Sequence, residues 1–519
     1  MTPVFHSSGA PRPARRLLRS LCAALVVAAQ LALPAPALAQ LPSMGDGGEM
    51  TASAERHLGD QIARELYRDP DYIDDLVLAE YVDDIWQRLL AAARTRGDLT
   101  PELDERFAWT VVLGRDRSIN AFALPGGYLG VNLGLIAVVG SRDELATVLG
   151  HELSHVTQRH IARNMAKQSK QMPLMLAGLI LGAIAASKSR SGDAGQAMIM
   201  GSQAAFMQNQ LSFSRDMERE ADRVGFGVMT QAGYAPQGAA AMFEKLQYAS
   251  RLNDNGSYPY LRSHPLNSER IADMQGRFQF KAGTPSAALP LAMDHAMIAS
   301  RARVLTRPGG DVLRQWVDSA SGSEFAKSSP AQQAGTLYAA ALSASEMRDF
   351  KAARALAQRL VTLTAGNAPS SRLARLLSAE IELAANAAPA AAALLDPKAK
   401  DRPEILLSAQ AAVATRNPAP MIQPLRDWVA VHPRDATAWR TLANLYGAQN
   451  DTVRAVRADA EANVAILDYP GARDRLRAAQ DLIRKGGVPV DHYEASIIDT
   501  RARAVEVLFR EQAAEQPLR

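Results

Sequence analysis

Val148-Leu149-Gly150-His151-Glu152-Leu153-Ser154-His155-Val156 decides how the rest of the chain is read. Residues four apart lie on one face of a helix, so an H-E-x-x-H written on a helix aims both imidazoles, His151 and His155, at one point where a metal can sit. Glu152 stands about 100° further round the same helix, placed to take a proton from water near that point without being a ligand itself. The helix is predicted from Ser141-Arg142-Asp143-Glu144, an S-x-x-E capping box, followed by Leu145, Val148 and Leu149 at helical spacing.

A catalytic zinc takes three protein ligands and keeps one position open, so a third ligand is expected elsewhere. A third His ten positions after the first, with Gly at the seventh, is absent, because those positions hold Ile161 and Gln158. His160 is one residue out of that register and reads as a surface or outer-sphere histidine at a helix end. The better candidate is Glu218, in Ser214-Arg215-Asp216-Met217-Glu218-Arg219-Glu220-Ala221-Asp222-Arg223-Val224-Gly225. On a helix, Glu218 and Asp222 share a face, the first able to bind metal and the second able to accept the N–H of a ligating imidazole. Alone, this run would read as a solvated helix with i,i+4 pairs; the upstream H-E-x-x-H favours the metal reading.

Three motifs together carry a family resemblance: G-H-E-L-S-H-V-T-Q-R-H from Gly150, S-R-D-M-E-R-E-A-D-R-V-G from Ser214 and S-H-P-L-N-S-E-R-I from Ser263. With the strand-rich stretch Ser118 to Tyr128, residues 50 to 280 resemble the M48 group of gluzincin peptidases. Within that group the chain is most similar to the soluble periplasmic members that carry C-terminal TPR repeats. The resemblance implies zinc held by His151, His155 and Glu218, with Glu152 as general base and Asp222 orienting a ligand. It also implies misfolded or misassembled outer-membrane proteins as substrates and the outer-membrane β-barrel assembly machinery as a partner of the repeats.

His264 precedes Pro265, which disfavours helical conformations for its predecessor, so Leu261 to Leu266 reads as a loop. Three readings stay open for it: a solvated loop histidine, a donor to the transition-state oxyanion, or a fourth, inhibitory metal ligand that shuts the site. Arg270 is a second oxyanion candidate, or one arm of a helix-face salt bridge.

Residues 1–39 read as a secretory signal: Arg12, Arg15, Arg16 and Arg19 form a basic n-region, Leu21 to Leu33 an apolar core, and Ala37-Leu38-Ala39 a cleavage site before Gln40. A periplasmic destination follows. The single cysteine, Cys22, would leave with the signal, so disulfides are not available to the mature chain. Without the four signal arginines, 54 basic residues face 54 acidic ones, so the charge balance gives no reason to expect nucleic acid.

The organisation expected is α+β: a mostly helical gluzincin-type metalloprotease domain with a small β-sheet over 40–280, a linker over 281–290, and an all-α TPR-like array over 291–519. Ala54 to Tyr67 and a second run through Leu76, Tyr81, Ile85 and Leu89 read as helices, and Phe107–Leu113 and Tyr128–Val138 as strands around a Pro-Gly-Gly turn. Such a sheet would offer an edge on which an extended substrate pairs. The apolar run Met172 to Ala186 is short for a membrane span and reads either as a buried helix or as a cover in peripheral contact with membrane or substrate. Trp439-x-x-Leu442-Ala443-x-x-Tyr446, then Ala455 and Ala462, fits a TPR template, and Ala341, Phe350, Ala353 and Leu360 give a weaker copy. The alternative function is a non-proteolytic chaperone or assembly adaptor with a latent or structural metal site, against which the intact Glu152 argues.

Overall fold

Side-chain caps start the helices that frame the site. Thr51 accepts the Ala54 N–H and opens α1 (Ala52–Arg68), and Asp75 accepts the Leu78 N–H and opens α2 (Leu76–Arg96). The computed structural model describes residues 50–166, 213–251, 258–282, 291–486 and 491–515. The expected signal at 1–39, the run Met172 to Ala186 and most of the 281–290 linker lie outside them.

After β1 (Tyr72–Ile73), α2 and α3 (Pro101–Arg106), the chain lays down β2 (Thr110–Gly114), β3 (Ala121–Leu124) and β4 (Tyr128–Asn132). The sheet order is β1-β2-β4-β3, with β2 and β4 parallel and the outer strands antiparallel to their neighbours. Gly126, at φ 70°, makes the turn between β3 and β4, and its Cα lies against the α1 backbone at Arg56, where a Cβ would find an atom at 2.6 Å. The edge expected for an extended substrate is β3, paired on one side only.

The strand expected over Tyr128–Val138 is shorter. It stops at Asn132, and Leu133–Val138 turns into a helix, α4. That run is apolar throughout, a case in which periodicity cannot separate strand from helix. Phe107–Leu113 is likewise a strand only from Thr110.

Helix α5 (Arg142–Thr157) carries the H-E-x-x-H, and every residue from Glu144 to Thr157 is buried. Ser141 caps it by accepting the Glu144 N–H. The capping box is not closed, however: the Glu144 carboxylate accepts the N–H of Gly140 at 2.7 Å instead, and pairs with Lys245 at 2.6 Å. After α6 (His160–Ala166), α7 (Arg215–Gln231) crosses α5, followed by α8 (Pro236–Arg251), α9 (Tyr260–Ser263) and α10 (Ser268–Ala282). The crossing is at Gly150 and Gly225, where a Cβ on Gly225 would stand 2.9 Å from the Gly150 carbonyl and the His151 nitrogen.

Helix α11 (Met293–Leu305) packs on α4 and on the first helices of the array. His295 ties it down: its Nε2–H donates to Val139 O (2.9 Å) and its Nδ1 accepts from the Tyr81 hydroxyl (2.7 Å), a neutral ring whose pKa burial lowers. The expected repeats are helix pairs, α14 (Pro330–Glu346) with α15 (Phe350–Thr364) and α20 (Ala436–Ala448) with α21 (Thr452–Ala465); α12 (Gly310–Ser319), α13 (Ser323–Lys327), α16 (Ala368–Ala384), α17 (Ala388–Leu394), α18 (Arg402–Ala414) and α19 (Ala419–Val431) complete this run. The last two are α22 (Tyr469–Lys485) and α23 (His492–Glu515). The fold is thus mostly helical with one small sheet, joined to a helical repeat array.

Gly225→Ala is predicted to destabilise. Alanine gains up to about 1 kcal/mol of helix propensity, but forcing a methyl against rigid backbone costs about 1–3 kcal/mol. Denaturant unfolding should show a net loss of up to about 2 kcal/mol, and a midpoint shifted to higher denaturant would contradict this packing.

Candidate metal centre

The turn geometry of α5 puts His151 and His155 on one face, with their Nε2 atoms 3.0 Å apart. Ser214 caps α7 by accepting the Met217 N–H, which sets Glu218 in the first turn of that helix, facing α5. Glu218 Oε1 lies 3.5 Å from His155 Nε2, and its Oε2 lies 3.5 Å from His151 Nε2. His264, at the end of α9, brings its Nδ1 to 3.0 Å from Glu218 Oε1 and 3.3 Å from His151 Nε2. All four side chains are buried.

These residues fit a metal ion. Four ligand atoms, one from each, lie within 4.8 Å of one another. Tetrahedral ligation with bonds of about 2.0–2.1 Å sets its ligand atoms about 3.3 Å apart, which the 3.0–3.5 Å separations match. Glu218 Oε2 is buried and accepts no hydrogen bond, although Arg270 Nη1 stands 2.8 Å away as an ion-pair partner. Arg270 thus faces Oε2 from one side, while Oε1, turned to His155 and His264, is the oxygen placed among the imidazole nitrogens.

The carboxylates are held in their ionised form. Burial raises the Glu218 pKa, but the neighbouring His264 and His151 outweigh it and bring it well below the usual carboxylate range. Asp222 is also lowered, burial being overcome by Arg270 and His151. For His151, burial favours the neutral ring, yet Asp222 and Glu218 pull its pKa up to about 10. Burial and the facing His151 push His155 well below its ordinary value. Two ionised carboxylates, Glu218 and Asp222, thus face one imidazole, an arrangement whose negative potential favours a cation.

Outer contacts fix the ligands. Asp222 Oδ1 lies 3.0 Å from His151 Nδ1, as the shared helix face led one to expect, and the same carboxylate receives a bidentate fork from Arg270, Nε at 2.7 Å and Nη2 at 2.8 Å. Arg270 thus forms no exposed helix-face bridge. It is buried, with Nη1 donating to the Pro265 carbonyl at 2.9 Å and lying 2.8 Å from Glu218 Oε2, so its guanidinium is turned towards these two carboxylates. Glu152 is fully buried, and its Oε2 accepts the Ala123 N–H of β3 at 2.9 Å while Oε1 has no hydrogen-bond partner.

The solvated-loop reading of His264 is overturned, since the residue is 2% exposed and its ring lies against the metal cluster. His160 is no surface residue either: it is fully buried, with Nδ1 2.9 Å from His155 Nδ1. Two aromatic contacts escaped the sequence reading. Tyr260 stacks on His264 (centroids 4.6 Å apart) and Phe213 on His155 (3.9 Å). Each aromatic lies beside a recognised motif, but nothing in the sequence separates such a neighbour from an ordinary core residue.

The fold and this centre define a metallopeptidase. The model of peptidase family M48 matches residues 79–278, and the chain belongs to that family. A relative in Escherichia coli K12, named β-barrel assembly-enhancing protease, is 30% identical over 503 residues, 94% of this chain and 97% of its own length. A Vibrio cholerae relative, given the same description provisionally, is 34% identical over 343 residues, 63% of this chain and 65% of its own length. The mitochondrial metalloendopeptidase OMA1 of Arabidopsis thaliana is 30% identical over 193 residues, 37% of this chain and 36% of its own.

Removing Arg270 would leave two buried carboxylates without their counter-charge. Arg270→Gln is predicted to cost about 3–5 kcal/mol of stability and to weaken metal binding about 10–100-fold through the loosened Asp222. Chemical unfolding and chelator competition on the folded fraction read the two effects, and wild-type metal affinity in this variant would contradict the positioning role of the pair.

Proposed function

We propose that the chain is a periplasmic zinc endopeptidase that hydrolyses misfolded or misassembled outer-membrane β-barrel proteins, with catalysis in residues 40–280 and recruitment in the TPR-like array over 291–519. Zinc would be held by His151, His155 and Glu218. The observation that carries the reading is the state of Glu152: a fully buried carboxylate with one oxygen pinned by Ala123 N–H and the other without a hydrogen bond, beside the four-residue cluster. A structural metal site has no use for such a group.

When bound, zinc supplies Lewis acidity that acidifies water and polarises a carbonyl. Glu152 takes the proton on Oε1 and passes it to the leaving amine, while the Ala123 N–H holds Oε2 and so fixes the carboxylate plane. Asp222 accepts the Nδ1–H of His151 and keeps Nε2 free for ligation. Edge strand β3 lies beside Glu152 through the same Ala123 contact, so a substrate paired along it would pass the base. The name of the Escherichia coli relative, β-barrel assembly-enhancing protease, supports β-barrel proteins as the clients. The expected signal at 1–39, cleaved before Gln40, would deliver the chain. Among the described residues no helix is long and apolar enough to cross a membrane.

His264 favours a restrained enzyme. Its Nδ1 lies 3.0 Å from Glu218 Oε1 and 3.3 Å from His151 Nε2, and its Nε2 faces Glu152 Oε1 at 3.5 Å. As a fourth ligand the ring would take the position that water needs and stand in front of the base until it withdrew. The same closed set of four favours the second reading, an adaptor or chaperone whose metal is structural or latent.

Two variants separate these readings. Glu152→Gln should keep one zinc per chain and lose two to four orders of magnitude, about 10²–10⁴-fold, in digestion of an unfolded outer-membrane protein; chelator should abolish the wild-type cleavage. Undiminished proteolysis by that variant would remove Glu152 from the mechanism, and no chelator-sensitive cleavage by any form of the chain would leave the adaptor reading. His264→Ala should retain zinc and show increased basal cleavage or self-cleavage, whereas lost activity with retained zinc would assign His264 to transition-state stabilisation instead.

A further inference from the structure

His160 and Glu220 stand beside the centre and have no part in the steps above. The chain turns between α5 and α6 at Arg159, in the left-handed region at φ 53°, and this brings His160 back over His155. Arg159 is held there by Glu55 at 3.1 Å and by the Met50 carbonyl. His160 is fully buried, with Nδ1 2.9 Å from His155 Nδ1 and Nε2 3.0 Å from Glu220 Oε2. Arg163 Nη1 lies 3.0 Å from the same Glu220 oxygen.

These contacts fix the protons. The Nε2 of His155 faces His151 and Glu218, so it is the nitrogen that would bind metal. A neutral ring bound through Nε2 carries its proton on Nδ1. That N–H must then donate to His160 Nδ1, which has to be bare, and a neutral His160 with a bare Nδ1 carries its own proton on Nε2, pointing at the Glu220 carboxylate. No other neutral arrangement of the two rings satisfies both contacts.

We propose that His160, backed by Glu220 and Arg163, is a positioning residue that sets the tautomer and ring orientation of His155 for metal binding. His151 has a carboxylate, Asp222, directly on its outer nitrogen; His155 reaches its carboxylate through a second histidine. The proposal rests on the reading of His155 as a metal ligand. Outer partners of ligating histidines are typically worth about 10–100-fold in metal affinity.

The test measures zinc affinity by chelator competition on the mature full-length chain carrying Glu152→Gln to prevent self-cleavage. His160→Phe keeps a ring but removes both nitrogens, and should weaken zinc about 10–100-fold. His160→Asn offers an amide oxygen near the Nδ1 position and should recover part of the loss. Glu220→Ala should weaken zinc less than His160→Phe, and the double variant should be no worse than His160→Phe alone, because the two losses belong to one chain of contacts. A merely structural role would lower the melting temperature of the metal-free chain without this order in zinc affinity. Wild-type affinity in His160→Phe, or additive losses in the double variant, would overturn the proposal. If His160→Phe does not fold, His160→Asn and Glu220→Ala decide: wild-type affinity in both overturns it. His155→Ala is the control for the underlying reading, since undiminished zinc in that variant would sink the ligand assignment itself.

Discussion

Everything at the centre depends on the contact of two helices at Gly150 and Gly225. With no side chain on either residue at the crossing, the backbones meet closely enough that a single methyl group would overlap carbonyl and amide atoms. That proximity carries the first turn of α7 to the H-E-x-x-H face of α5, so that Glu218 reaches both imidazoles and Asp222 lies behind His151. A wider crossing would carry Glu218 away from the two imidazoles.

The second constraint is electrostatic. Glu152, Glu218, Asp222 and four histidines lie within one buried region, and no such collection is stable without compensation. Arg270 supplies part of it, bidentate to Asp222 and close to Glu218. A dication at the four-residue cluster would supply the rest, so metal binding and the integrity of this region are coupled. The aromatic faces of Tyr260 and Phe213 enclose the rings and keep the local dielectric low, which strengthens every one of these interactions.

The array is joined to the catalytic part by charge as well as by packing. Arg301 on α11 bridges Asp75, the cap of α2, to Glu380 on α16, at 2.6 and 2.7 Å; Arg372 on the same helix pairs with Glu80, and Arg402 on α18 pairs with Asp74. Three arginines thus grip the start of one helix that runs beside α5 and α7. Movement of the array relative to the catalytic helices would have to break several of these pairs together, whose partial burial makes each worth more than an exposed surface pair.

The sequence by itself determined the chemistry. H-E-x-x-H and E-x-x-A-D name their residues through the 3.6-residue period of a helix, a local property that needs no knowledge of the fold, and Ser141 announced the first of the two helices through its cap. The helix pairs of the array were legible for the same reason, since small and aromatic residues recur at fixed spacing. What only the tertiary structure decided are the contacts between segments distant in the chain. His264 against the metal cluster, Arg270 spent on Asp222, Ala123 N–H on Glu152 and His160 behind His155 all depend on how helices cross and how a turn at Arg159 closes. Leu133–Val138 failed as a strand prediction for a related reason: a segment with no polar residue shows no period, so only its neighbours settle its conformation.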